Sequence, residues 1–220
     1  MRSAVTESIL KNHLIAIVRG QSCENVLRTA DALARGGVKL MEITYNASDA
    51  STHEETAATI GALCREFGDV MKIGAGTVLT KRQVDLTREA GGSFIISPNV
   101  DPDVIRHTAE SGLVSIPGAM TPTECMLAHQ SGADFVKLFP IGNLGASYLK
   151  AIAAPLSQIR FLAVGGVKPA NMKEYAAAGA VGFGAGADLI MPDAVREGRL
   201  DLVASRAAEY VQTVREAYGE

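Results

Sequence analysis

Apolar residues in this chain fall in short runs at a near-regular interval, separated by stretches of helical character. Leu14-Ile15-Ala16-Ile17-Val18-Arg19 is apolar until its last residue, the pattern of a strand buried on both faces. Runs of the same kind follow at 39–44, 71–77, 94–98, 114–118, 135–140, 160–164 and 181–184. Helix signals lie between them. Ser22 offers an N-cap for a helix through Arg35, stopped by Gly36-Gly37. Asp101-Pro102 joins a cap to a first-turn proline, and Thr121-Pro122-Thr123-Glu124 reads as a capping box with proline at N1. Further helices are predicted at 1–11, up to Phe67 after a polar loop at 45–51, over 81–90, 145–154 and 169–178, and through the rest of the chain beyond Ala187. Consecutive parallel strands need right-handed helical crossovers of this length, and eight such units close into a barrel. The pattern therefore predicts a (β/α)8 TIM barrel with an extra N-terminal helix. Its competitor is an open doubly wound sheet, whose first strand-helix turn often carries a glycine-rich dinucleotide fingerprint. Here that turn is Arg19-Gly20-Gln21-Ser22, which lacks one.

Composition narrows the function classes. With 220 residues, 47% hydrophobic, 20% charged and 22 glycines, and with no Pro/Ser-rich linker or block of like charge, one domain over 1–220 is expected. A net charge of -3 leaves no electrostatic footprint for nucleic acid, so small molecules are the expected partners. The N-terminal segment lacks the apolar core of a signal peptide, and no run is long enough to span a bilayer; the expectation is a cytoplasmic protein with no membrane partner. Cys23, Cys64 and Cys125 are odd in number and far apart, so buried reduced thiols are expected. They and the four scattered histidines lack metal-ligand spacing, and no metal is expected.

In such barrels chemistry lies at the C-terminal ends of the strands. Those ends read Arg19, Glu42 with Thr44, Thr77, Ser97-Pro98, Pro117, Lys137, Gly165-Gly166 and Gly186. Strand alternation places Lys137 on one face with Phe135 and Phe139. Inside a closed sheet the ammonium is poorly solvated, its pKa falls, and the free amine can attack a ketone to form an imine, the electron sink for breaking a carbon-carbon bond. The alternative is a strand-end lysine that snorkels its charge into water. Glu42 shares its face with Leu40 and Thr44. A buried carboxylate serves either as a general acid/base beside Lys137 or as one partner of a structural ion pair. Arg19 could hold a substrate anion or pair with Glu42. Thr77 and Ser97 could bond a substrate carboxylate or be satisfied internally. Backbone donors at Gly165-Gly166 and at Gly184-Ala185-Gly186 match the phosphate site common in this fold, or the glycines only permit tight turns.

At these residues the chain resembles a known family, the class I 2-keto-3-deoxy-6-phosphogluconate (KDPG) and 4-hydroxy-2-oxoglutarate (KHG) aldolases, with the related 2-keto-3-deoxy-6-phosphogalactonate aldolases. The resemblance covers almost the whole chain. It rests on Glu42-Ile43-Thr44, Gly74-Ala75-Gly76-Thr77-Val78-Leu79, Ile96-Ser97-Pro98-Asn99, Ile116-Pro117-Gly118, Lys137-Leu138-Phe139-Pro140 and Val164-Gly165-Gly166-Val167. It implies a homotrimeric barrel that reversibly splits a phosphorylated 2-keto-3-deoxy sugar acid into pyruvate and glyceraldehyde 3-phosphate, or hydroxyoxoglutarate into pyruvate and glyoxylate, without metal or other cofactor. Lys137 would form the Schiff base and Glu42 would shuttle protons. Pyruvate contacts would fall near Thr77 and Pro98 and phosphate contacts at Gly165, Gly166, Gly186 and Ala187, with Arg19 and Phe139 also expected to bind substrate. Gluconate-type members often carry Arg-Thr soon after the strand-two glutamate, whereas this chain has Tyr45-Asn46-Ala47; an asparagine there, with the 15–20 and 161–167 segments, is similar to the galactonate branch. Many members carry a serine where this chain has Ala187. The rivals are a phosphosugar isomerase or epimerase, which would need Glu42 but no amine at Lys137, and a phosphosugar-binding protein without turnover.

Overall fold

Short apolar runs become strands because each is buried on both sides. The computed structural model describes residues 2–219. It places β1 at Leu14–Val18, β2 at Leu40–Thr44, β3 at Lys72–Gly76, β4 at Phe94–Ile96, β5 at Val114–Ile116, β6 at Gly118–Ala119, β7 at Val136–Leu138, β8 at Phe161–Val164 and β9 at Ala180–Ala185. The crossovers are α2 (Cys23–Arg35), α3 (His53–Phe67), α4 (Lys81–Glu89), α5 (Pro102–Glu110), α6 (Pro122–Gln130), α7 (Gly145–Ala153) and α8 (Pro169–Ala177), with α1 (Arg2–Asn12) ahead of β1. The predicted caps form: Ser22 accepts from the Asn25 amide, Asp101 from Asp103 and Val104, and Thr121 builds its box with Glu124. A second box, Thr80 with Gln83, opens α4 and was not foreseen from the sequence. Beyond β9 the helical stretch is broken into α9 (Ala187–Ile190), α10 (Pro192–Arg196) and α11 (Leu200–Tyr218), with Met191 at φ +49° and Gly198 at φ +73° between them. The predicted start of the first helix at Met1, and the end of the last at Glu220, lie outside the described residues.

Nine parallel strand segments among the described residues follow the order β5-β4-β3-β2-β1-β9-β8-β7-β6, against eight strands expected. The extra segment arises at Pro117, which splits the fifth barrel strand. Val114–Ile116 pairs with β4, and Gly118–Ala119 pairs with β7. Proline has no N–H for a ladder, yet its carbonyl still accepts. Pro117 O takes the Lys137 amide at 2.9 Å and Ser115 O takes the Phe135 amide at 3.3 Å, so the two ends of the order meet and the sheet closes. The ring is a TIM barrel with an N-terminal helix, as the sequence pattern predicts.

Two cores result. Inward residues Ile15, Leu40, Phe94, Ile96, Val114, Ile116, Phe135, Leu162 and Val164 fill the barrel, and Val5 and Ile9 of α1 join them. The N-terminal helix therefore plugs the barrel at the end opposite the C-terminal ends of the strands. A larger outer layer lies between strands and helices. Arg2 fastens the plug: its Nε donates to Asp134 at 2.9 Å and its guanidinium to Gly132 O at 3.1 Å, while Asp134 also accepts the Ser115 amide at 2.8 Å.

Asp134 supports the broken strand, whereas Arg2 is a half-buried tether, so the two substitutions should differ. Asp134→Ala orphans the Ser115 N–H and is expected to lose about 2 kcal/mol of stability in urea denaturation. Arg2→Ala is expected to lose less than about 1 kcal/mol. Equal losses would contradict this division of labour.

Candidate active site

The mouth of the barrel is assembled from strand ends whose registers fix what faces what. Glu42 pairs in register with Ile17 on one side and Gly74 on the other, and Lys137 with Gly118 and Leu162. Both side chains point inward, as the alternation from Leu40 and Phe135 requires. Both are buried, Glu42 with 2% of its surface exposed and Lys137 with 7%. Glycine at 76 makes room: a Cβ there would run into the Glu42 carboxylate.

Burial sets the chemistry. Desolvation pushes the Glu42 carboxyl up to about 7, against the opposing charges of Lys137 and Arg19. Desolvation likewise lowers the Lys137 amine, helped by Arg19 and opposed by Glu42. The Lys137 Nζ lies 4.6 Å from the Phe139 ring centroid, a contact that favours the ammonium and tempers the shift. Glu42 Oε2 is buried and has no hydrogen-bond partner. Among the described residues neither Lys137 nor Arg19 closes an ion pair with Glu42, so the structural-pair alternative is not what the fold contains. An amine losing its proton and a carboxyl titrating near neutrality can attack a carbonyl and exchange protons with the adduct.

The rest of the mouth is mostly where the sequence placed it. Arg19 is exposed and donates to Thr77 Oγ1 at 3.1 Å. Thr77 sits at φ +57°, a costly conformation for a β-branched residue and one that recurs at functional sites. Pro98 lies exposed on the rim, its carbonyl against Gly118 beside Lys137. Phe139 is half-exposed above the lysine. Ser97 is excluded as a donor to a ligand, because its hydroxyl donates to Val78 O at 2.7 Å. Across the mouth, Gly165 and Gly166 turn at φ +88° and +79°. Their turn is pressed against Gly142, whose amide donates to Gly165 O at 2.8 Å. The Asn171 side chain closes this turn, donating to Gly166 O at 2.9 Å and accepting the Lys168 amide at 2.8 Å. Gly186 and Ala187 form the neighbouring turn at the end of β9.

Sequence reading missed one part of the rim. A cavity of about 570 Å³ runs from Arg19 and Thr44 between the loops after β1 and β2, lined also by Gln21, Ile43, Asn46 and Ser48. Thr44 Oγ1 and Gln21 Nε2 are buried there without partners. Thr44 was visible as the next inward residue after Glu42; nothing in the sequence marks Gln21. No group of three His, Cys, Asp or Glu side chains among the described residues could hold a metal ion, and no described helix is long and apolar enough to cross a membrane.

The family described as KDPG and KHG aldolase matches residues 5–205. A probable 2-dehydro-3-deoxy-6-phosphogalactonate aldolase of Rhizobium meliloti is 41% identical over 83% of this chain and 84% of its own. The KHG/KDPG aldolase of Escherichia coli K12 is 34% identical over 94% of each. A KDPG aldolase of Legionella pneumophila, solved with pyruvate captured as a covalent carbinolamine, superposes with a TM-score of 0.82 at 26% identity, over 92% of this chain and 96% of that one.

Burial of Glu42 has a measurable cost in stability. Its folded pKa, about 7, lies above the ordinary 4.5, so its contribution is full below pH 4.5 and is lost as pH rises through 7, where a carboxylate must be ionised inside the barrel. Glu42→Gln removes that loss. Urea denaturation of the parent and Glu42→Gln at pH 5 and pH 8 should show the variant gaining a few kcal/mol relative to the parent at the higher pH. A pH-independent difference would contradict the burial argument.

Proposed function

The chain belongs to the KDPG and KHG aldolase family, and from that premise we propose that it cleaves 2-keto-3-deoxy-6-phosphogluconate to pyruvate and glyceraldehyde 3-phosphate by way of a Lys137 imine. The observation that carries this is the buried, unpaired couple of Lys137 and Glu42 in the mouth of the barrel. The Lys137 amine adds to the C2 ketone, and Glu42 protonates the carbinolamine hydroxyl so that water leaves and a protonated imine remains. Glu42, now a carboxylate, takes the C4 hydroxyl proton. The C3–C4 bond breaks into the aldehyde, its electron pair passing into the imine to give an enamine. Glu42 returns the proton to C3, and water then adds to the imine to release pyruvate and the free lysine. A carboxyl titrating near 7 suits this alternation of acid and base.

The other groups take roles that fit their places. Thr77, held by Arg19, and the Pro98 rim border the pyruvate half, with Phe139 covering the lysine. The phosphate is assigned to backbone donors of the Gly165-Gly166 and Gly186-Ala187 turns, since glycine lets an oxyanion approach the chain closely. The same reading takes 1–220 as one catalytic domain in the cytoplasm, as composition and the N-terminal segment suggest, acting as a homotrimer without metal, as the family resemblance implies. The galactonate epimer is a second reading, favoured by Asn46 after β2 and by the 41% identity to the galactonate relative. Comparing kcat/KM for the two epimers decides between them.

The direct test is borohydride reduction in the presence of pyruvate, followed by peptide mass spectrometry. A reduced pyruvyl adduct on Lys137 is expected, and its absence from folded protein would overturn the proposal in favour of an epimerase. Lys137→Arg should abolish adduct and turnover together. Glu42→Gln should lower kcat by roughly 10²–10⁴.

A further inference from the structure

Tyr210 lies on α11, outside the catalytic mouth, and is fully buried. Burying a phenol costs free energy unless its hydroxyl is bonded, and phenylalanine would fill the space as well. The hydroxyl is bonded at two places of interest. It donates to Asp188 Oδ2 at 2.6 Å, with the carbonyl of Val167 as a second acceptor at 3.3 Å. Val167 follows the Gly165-Gly166 turn, and Asp188 follows the Gly186-Ala187 turn. Arg206, one helical turn before Tyr210, completes the arrangement. Its guanidinium pairs with the Asp188 carboxylate, its Nε donates to Asp188 O at 3.4 Å, and it lies 5.2 Å from the Tyr210 ring centroid.

We propose that Tyr210, supported by Arg206, is a positioning residue that fixes the separation of the two glycine turns so that they hold one phosphate together. The inference rests on the reading of those turns as the phosphate site. Glycine turns have the widest backbone freedom, and a site for a small anion needs its donors fixed to about 0.5 Å. The Gly165-Gly166 turn is braced from its own side by Gly142 and Asn171, but those contacts do not reach the second turn. Tyr210 links both. An aspartate beside a phosphate would repel it, and the Arg206 pairing offsets that charge. Although burial opposes its ionisation, the bonds from Tyr210 and Arg206 hold the Asp188 carboxyl below the usual range, with the Lys168 charge acting in the same direction.

Tyr210→Phe tests this, because it keeps the ring and removes the hydroxyl. Amide NMR titration with inorganic phosphate should shift Gly165, Gly166, Gly186 and Ala187 of the parent along one isotherm. In the variant the Kd for phosphate should rise about tenfold, the loss expected for one buried hydrogen bond to a charged group. Borohydride trapping of pyruvate on Lys137 should proceed at the parent rate, which also shows that the variant is folded. An unchanged Kd, a parent whose two turns do not respond to phosphate, or an equal loss of phosphate binding and pyruvate trapping would each overturn the proposal. Failure of trapping in the parent would instead count against the aldolase reading, while the phosphate titration still decides the role of Tyr210.

Discussion

Two groups of opposite charge share the desolvated interior of the barrel just below its mouth without touching, and the remaining features of the site depend on that separation. Had Glu42 and Lys137 closed a tight ion pair, their attraction would have restored both to their ordinary charged forms and left a structural bridge. Instead each is dominated by loss of water, the carboxyl moving up and the amine down. The pair titrates as a coupled unit, and its two members are brought toward one another in pKa, the condition for exchanging protons near neutral pH.

The fold holds that condition by geometry rather than by polar contacts to the two groups. Closure of the sheet through the Pro117 and Ser115 carbonyls keeps the Lys137 strand in the ring despite a residue that cannot donate. Gly76 leaves the volume into which the Glu42 carboxylate folds, and the apolar plug formed by α1 closes the far end. Arg19, strained Thr77 and the glycine turns gather at the rim. A hydrophobic barrel open at one end thus supplies a low-dielectric interior and a wet, polar entrance.

Much of this was legible in the sequence because strands buried on both faces leave continuous apolar runs, and a charge inside such a run stands out. Glu42 and Lys137 were visible for that reason, as were the caps at Ser22, Asp101 and Thr121. What was not legible depends on contacts between distant positions. The break at Pro117 looked like a strand end, and its role in closure emerges only when Phe135 and Lys137 are seen to bond across it. The sequence left Ser97 open between a ligand donor and an internally satisfied hydroxyl, which only its bond to Val78 O decides, and Thr77 gave no sign of its left-handed backbone. Nothing in the sequence marks Tyr210, since only the folded chain brings Val167 and Asp188 to its hydroxyl.

Desolvation inside the barrel, more than any partner, sets the protonation of Lys137. A pH titration of the lysine 13Cε resonances by NMR, with the Lys137 signal assigned as the one missing from Lys137→Arg, tests it directly. This resonance is expected to titrate well below the other lysines, and Glu42→Gln is expected to lower its midpoint further by removing the opposing charge. Titration together with the surface lysines, near 10.5, would contradict it.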